Sequence, residues 1–367
     1  MKWTIEPAAS FAQRAEQWRV LNAATLASPL LEPEFITPLL RHFGKSEVLA
    51  RCEQGGKMVA MALLSRRRTG TWETFQPSQA PVGMWLQERG IDTGVLMAGL
   101  MRALPGFPLV LSLLQRDPAL EARPAGGAGV STMDYIATAR VTVSGSFDDY
   151  WAGRGKNLRS NLKKQRTRLA REGIATRMDV VTEAGQAAAA IDDYARLEQS
   201  GWKAGQGTAV QASTAQGRFY RALFESACAR GQGRIYRYWF GEKLVAMDLC
   251  LAVGGTVIIL KTAYDASAPQ GLSPTLLMRE EQFRALFDSG DVRVIEFYGK
   301  VMEWHTRWTD EVRTMYHVTA FRWPVLGALK QLLKARPRRA RQRGWKPAPI
   351  QTEENDHVPR RRKTTPD

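Results

Sequence analysis

The 367-residue chain is poor in the two residue types that most often hold metals or form covalent intermediates. It has three cysteines, Cys52, Cys228 and Cys250, and four histidines, His42, His305, His317 and His357. The cysteines are far apart, and no histidine stands at ligand spacing from them. A zinc site is therefore not expected, and the cysteines read as reduced structural residues. No apolar run reaches the ~20 residues that span a bilayer. The first stretch, MKWTIEPAASFAQRAEQW, lacks the apolar core of a signal peptide, so the expected location is the cytoplasm.

What is present is a globular composition, 44% hydrophobic and 24% charged, over a length that suits two domains. The formal charge is +16, and half of it lies from Lys330 onward, where twelve Lys/Arg face four Asp/Glu. From Pro337 onward the tail has no apolar period and is expected to be disordered. The rest of the excess favours phosphate-bearing or other anionic partners.

One stretch organises the remainder, GTVIILKTAYDASAPQGLSPTLLMREEQF, beginning at Gly255. Residues 256–263 are β-branched and apolar, as in a buried strand. Residues 266–271 carry turn formers. Ser273 suits a helix N-cap and Pro274 the first helical position. Leu272, Leu276, Phe283, Leu286 and Phe287 then fall on one helical stripe. A helix start behind a glycine loop offers N–H groups and partial positive charge to a phosphate. The alternative is an ordinary strand–loop–helix unit. Neither the Gly-Lys-Ser/Thr run of a P-loop nor a dinucleotide fingerprint is present.

The second landmark is a basic helix over 152–172. Trp151, Leu158, Leu162 and Leu169 form its narrow apolar stripe, and eight Lys/Arg from Arg154 to Arg171 cover most of the rest. It reads either as a solvated helix docked by its leucines or as a surface for nucleic acid, anionic lipid or ligand phosphates. Aromatics do not alternate with the charges, which gives base stacking little support.

In chain order, residues 1–45 read as helix and loop. Strands are expected at 47–51, 58–66, 72–75, 107–113 and 135–143, with a helix at 94–104. The second half runs strand 174–181, helices near 187–199 and 213–230 broken by Gly201-Trp202-Lys203, then strands 234–240, 244–253 and 256–263. Strands 292–297 and 314–323 close it. The second half repeats the element order of the first.

Three pieces then carry a family resemblance. They are Tyr150-Trp151 through Arg171-Glu172, then Leu260-Lys261-Thr262-Ala263-Tyr264-Asp265 with Leu272-Ser273-Pro274, and Glu296-Phe297-Tyr298-Gly299 with Glu303 through Thr309. Residues 146–323 resemble the GNAT N-acetyltransferase superfamily, and more closely its BioF2-like or CelD-like branch, related to the FemAB peptidyltransferases. The resemblance implies an α/β (α+β) fold of two tandem GNAT-like domains, each a mostly antiparallel twisted sheet flanked by helices. Residues 1–145 would be a degenerate copy, 146–325 the acyltransferase domain with the inserted helix 152–172, and 326–367 the basic tail.

It further implies acyl transfer from acetyl-CoA or another acyl-CoA to an amine or hydroxyl, with no metal, on a small-molecule, cell-envelope or polysaccharide precursor. Pantetheine would pair with Thr262, Ala263 and Tyr264. The pyrophosphate would lie on Gly271, Leu272, Ser273, Pro274 and Thr275. This chain departs from the branch where Thr275 replaces a common glycine, Lys300-Val301 a Gly-Asp pair, and His305 a common lysine. Alternatives are a FemAB-like transfer from aminoacyl-tRNA, or a non-catalytic anion-binding scaffold that meets membrane or tRNA through the basic helix and tail.

Acyl transfer needs a neutral nucleophile, a donor for the developing oxyanion and a proton for the thiolate. His305 is the expected proton-transfer group, with Glu303 a weaker base; a structural histidine is the competing reading. Lys261, among apolar neighbours, is expected to bind a substrate carboxylate or donor phosphate, or to pair with Asp248 across the hairpin. Asp265 reads as a loop cap.

Overall fold

Short alternating runs separated by glycine turns make this chain a sheet-builder with helices inserted at two equivalent points. The computed structural model describes residues 1–127, 129–199 and 213–327. β1 (Lys2–Pro7) precedes α1 (Phe11–Thr25) and α2 (Pro33–Phe43). β2 (Val48–Gln54), β3 (Lys57–Arg68), β4 (Thr71–Thr74) and β5 (Trp85–Gln87) follow, then α3 (Thr93–Ala103), β6 (Val110–Arg116) and β7 (Val130–Thr142). α4 (Phe147–Ala152) and α5 (Lys156–Arg171) lead to β8 (Thr176–Val181), α6 (Ala184–Gln199), α7 (Ala215–Ala229), β9 (Gly233–Phe240), β10 (Lys243–Val253) and β11 (Thr256–Tyr264). α8 (Pro274–Asp288), β12 (Val294–Glu296), α9 (Glu303–Thr306) and β13 (Val312–Phe321) complete the order.

The strands form one sheet, ordered β1-β2-β3-β4-β6-β13-β7-β12-β11-β10-β9-β8, with β5 added on β3. It is antiparallel except where β4 meets β6 and β11 meets β12. The order reads alike outward from the central β13–β7 pair. On each side a meander ends in a strand that runs parallel to the one after the next helix, α3 or α8. The two copies are exchanged at the centre. β7 continues the C-terminal set through β12, and β13 continues the N-terminal set through β6. Met1–Gly327 form one compact unit, in which β7 and β13 each pair with strands of the other half of the chain.

Alternation decides the layers. In β3, Met61 and Leu63 face the core shared by α1, α2, α6 and α7, whereas Ala60, Ala62 and Leu64 face α3. In β10, Met247, Leu249 and Leu251 join the shared core, and Cys250 joins the opposite one, under α4, α5 and α8. All three cysteines are free and buried. No helix among the described residues is long and apolar enough to cross a membrane.

Two expectations are corrected. Residues 2–7 are an edge strand paired to β2, not helix or loop; a six-residue run with Lys, Glu and Pro carries little strand propensity, and the partner supplies the rest. The basic segment is two helices, because Gly153 and Gly155 flank Arg154, whose guanidinium turns in to the Trp308 carbonyl, 3.0 Å away. The expected break at Gly201-Trp202-Lys203 and the basic tail from Ala328 on lie outside the described residues.

In the N-terminal half, the parting of β4 from β6 is filled by the chain itself. Leu63 N donates to Met84 O at 3.0 Å, and Leu114 N to the Thr74 hydroxyl at 2.9 Å. A Cβ on Gly83 would press into Leu114 O and Thr74 Oγ1. Gly83→Ala is therefore expected to lower stability by about 1–3 kcal/mol, measured by urea unfolding.

Candidate active site

In the C-terminal half the corresponding parting is open. β11 and β12 pair only over Thr256–Ile258 and Val294–Glu296. Beyond Glu296 the chain leaves β11 for β7, where Phe297 N reaches Ala139 O (3.2 Å) and Val301 N reaches Ala137 O (2.9 Å). β11 stays with β10 and bulges there: Leu249 faces Lys261, but Cys250 faces Ile259, so Leu260 is the extra residue. A bulge re-aims backbone groups away from the ladder. The result is a cleft with its apex at Ile258 and Glu296 and its mouth toward the start of α8. Two surface cavities lie elsewhere, beside α3 and beside β1 and α2.

The mouth is held by α5. The Ser273 N–H donates to Gln165 Oε1 at 2.7 Å, and Arg168 Nη1 donates to Gln270 O at 2.6 Å. Arg166 bridges Glu280 (2.7 Å) and Glu281 (2.8 Å) on α8. Ser273 does not cap α8 with its side chain as expected; its carbonyl takes Leu276 N and Leu277 N, and its N–H takes the glutamine. Asp265 does cap its loop. It accepts from Ser267 N at 2.9 Å and pairs with Lys243 at 2.5 Å. Burial opposes its charge, yet these partners hold its carboxyl below the usual range. Gly271, at φ +82, lies against Arg168. Of the basic face, Lys156, Lys163, Lys164 and Arg171 remain exposed.

The expected donor-strand residues divide by face. Thr262 turns its hydroxyl to Asp248 Oδ1 at 2.5 Å. Ala263 is buried and Tyr264 exposed. Lys261 points to the α6/α7 face, where its Nζ lies 3.7 Å from Glu198 Oε1 and 6.0 Å from the Tyr220 ring centre. Lys261 does not pair with Asp248. Asp248 stands opposite Thr262, one residue along, and neighbouring residues in a strand face opposite sides. The actual partner of Asp248 is Arg279 of α8, and both are fully buried. Arg279 also reaches Gln282 at 2.8 Å.

His305 is buried on the α8 side, against Phe297 and Trp304. Its Nδ1 accepts from Met302 N at 2.9 Å. Burial pushes its pKa down to about 4, so the ring is neutral near pH 7. Glu303 is exposed and pairs with Arg307 at 3.0 Å. Lys261, His305 and Glu303 do not converge on one point.

A polar cluster that sequence reasoning did not anticipate lies at the apex. Arg313 of β13 grips Asp117 with two bonds of 2.7 and 2.6 Å, and its Nη2 lies 2.9 Å from Glu296 Oε2. Burial alone would raise the Asp117 pKa, but Arg313 holds it below the carboxylate norm. Glu296 is pushed up to about 7 by burial, which the shared Arg313 only partly offsets. Tyr298 packs beside Arg313 with φ +46, a left-handed backbone that a tyrosine rarely adopts.

Comparison with known proteins bears on this geometry. Residues 156–306, from α5 through the cleft to α9, match the family model described as acetyltransferase (GNAT) domain. This segment is therefore similar to a GNAT acetyltransferase domain, a transferase fold. Among solved structures, the chain resembles the C-terminal domain of a protein from Agrobacterium fabrum described as a lysylphosphatidylglycerol synthetase. That match has 15% identity and a TM-score of 0.53, and covers 88% of this chain and 95% of that one. FemX is similar at 9% identity and TM-score 0.53, with 91% and 100% covered. These likenesses are of fold. No curated protein matches the sequence. The segment similar to a GNAT domain thus holds the open cleft, and the N-terminal half has a similar strand order with the parting filled.

The buried Asp248–Arg279 pair ties β10 to α8 beneath that cleft. Arg279→Met would leave a buried carboxylate without its partner, a loss of about 3–5 kcal/mol. Denaturant unfolding should show it, and the double variant Asp248→Leu/Arg279→Met should recover most of the loss.

Proposed function

We propose that the GNAT domain transfers an acyl group from acyl-CoA to an amine or hydroxyl. The observation that carries this reading is the cleft between β11 and β12, which opens past the Leu260 bulge and ends at the start of α8. Backbone of Thr262, Ala263 and Tyr264 along one wall suits the amide-rich pantetheine arm. The loop and helix start at Gly271, Leu272, Ser273, Pro274 and Thr275 suit the pyrophosphate. The Ser273 N–H donates to Gln165 Oε1, an oxygen that a phosphate oxygen would replace on that donor. Arg168, paired with Glu172 and bonded to Gln270 O, fixes the loop beside Gly271 in place. The motifs favour the BioF2-like or CelD-like branch and a glycan or envelope precursor as acceptor. A CoA donor fits a cytoplasmic protein.

The transfer from aminoacyl-tRNA is the second reading. The exposed Lys156, Lys163 and Lys164, with Arg171 beside Glu172 at 4.0 Å, favour it, because they leave a positive face on the helix that holds the cleft mouth.

Calorimetric titration of acetyl-CoA separates the two. Saturable binding in about the micromolar range is expected, lost in Ser273→Trp. Absence of binding to acetyl-CoA and to free CoA would sink the first reading. Salt-sensitive tRNA binding, weakened by Lys163→Glu/Lys164→Glu, would then support the second.

A further inference from the structure

Three buried polar atoms near the cleft apex make no hydrogen bond: Glu296 Oε2, Arg313 Nη1 and Thr138 Oγ1. Arg313 Nη2 stands 2.9 Å from Glu296 Oε2 but is aligned on Asp117 instead. Buried polar groups are normally satisfied, and a cluster of orphans costs stability unless a ligand completes it. Glu296 is 5% exposed and Thr138 fully buried. Thr138 and Arg313 are direct cross-strand partners, and Glu296 is the partner of Arg140 on the same strand, two residues from Thr138. The orphans therefore share the sheet face that α6 and α7 cover. Lys261 and Glu198 belong to that face as well.

Position adds a second argument. Glu296 is the last residue of β12 paired to β11, and Leu260, the bulged residue, lies two positions past its partner Ile258. A donor anchored at the start of α8 and lying along β11 brings its thioester toward this apex. The polar groups of the apex turn to the α6/α7 face and Phe297, Phe283 and Trp308 fill the other, so an acceptor would meet Glu296 from the α6/α7 side.

We propose that Glu296 is the general base of the acyl transfer, in an acceptor pocket completed by Arg313 and Thr138. This rests on the acyl-CoA reading above. The acceptor enters neutral. Its nitrogen or oxygen lone pair forms the bond to the thioester carbonyl carbon, and the carbon–sulfur bond breaks. The acceptor's proton passes to the Glu296 carboxylate and is then handed to the departing thiolate. The charged and titratable groups facing Glu296 are Arg313 from β13, Asp117 from the end of β6, Arg140 from β7 and Tyr298 from its own strand end. One arginine serves two carboxylates, and Asp117 takes its better geometry. Glu296 consequently changes protonation near neutrality, where a base acts best.

The test uses full-length protein, acetyl-CoA, and water and hydroxylamine as surrogate acceptors, with free thiol as readout. The wild-type rate should rise with pH through about 7 and level off. Glu296→Gln should lose about 100-fold or more in rate and lose that pH limb. Its CoA affinity and melting temperature should stay near wild type, and Glu296→Asp should recover part of the rate. Full activity in Glu296→Gln, or an unchanged pH limb, overturns the proposal. So does a Glu296→Gln protein that loses CoA binding together with activity, which would make the residue structural. Wild-type protein that binds acetyl-CoA but releases no thiol with either surrogate also counts against the base. Wild-type protein that binds no CoA sinks the donor reading instead, and the two failures are told apart by the titration.

Discussion

The pairing of β13 with β7 is the constraint on which the rest of the molecule depends. It runs from Val312 opposite Ala139 to Ala320 opposite Val130, at the centre of the sheet. Each is the last strand of its half of the chain, so the pair joins segments about 170 positions apart in sequence. Contacts this distant in sequence carry a large loop-closure cost and reward it only when complete. Neither half has a full sheet alone, since β12 borders β7 and β6 borders β13. The seam is also where the apex cluster is assembled. Asp117 comes from the end of β6, Thr138 from β7, Glu296 from β12 and Arg313 from β13.

The same parallel-strand parting occurs twice and is used in two ways. Between β4 and β6 it is closed by residues 83–87, which bond to Leu63 and lie against Leu114 and Thr74. Among the described residues no such segment intervenes between β11 and β12, and the walls bear a bulge and a helix start. Backbone groups at a sheet parting need partners. The N-terminal half satisfies them with its own chain, and the C-terminal half leaves room for a substrate to do so.

Charge in this protein is largely structural, which is why charge alone is a poor guide to its site. Arg166, Arg168 and Arg154 look like a phosphate-binding face in sequence, yet each makes bonds to the neighbouring α8, to its loop or to the Trp308 carbonyl. Asp248 and Arg279 are buried together and fasten β10 to α8. Of the buried side-chain atoms that make no hydrogen bond among the described residues, those of Glu296, Arg313 and Thr138 are the ones gathered where the strands separate.

Local pattern was enough for much of the fold. Alternation in 234–253, the Gly254-Gly255 turn and the Pro274 helix start predicted β9 to α8 closely, and the repeated element order predicted a repeated architecture. The motifs from 150 to 309 were sufficient to indicate an acyltransferase. Several features were not legible, each for a physical reason. β1 owes its form to β2, not to its own residues. Asp248 and Lys261 look adjacent in a hairpin, but register and bulge put them on opposite faces. His305 looks like a proton carrier until its ring is seen buried and accepting from Met302 N. Glu296 read as an ordinary member of a strand motif, because nothing local says that it ends a pairing. The sequence by itself determined the elements, the repeat and the reaction class, since these follow from periodicity, turn chemistry and short motifs. Only the tertiary structure decided which cleft stays open and which carboxylate stands at its apex, because both depend on strand pairings that local pattern does not carry, Ile258 with Glu296, Glu296 with Arg140 and Arg313 with Thr138.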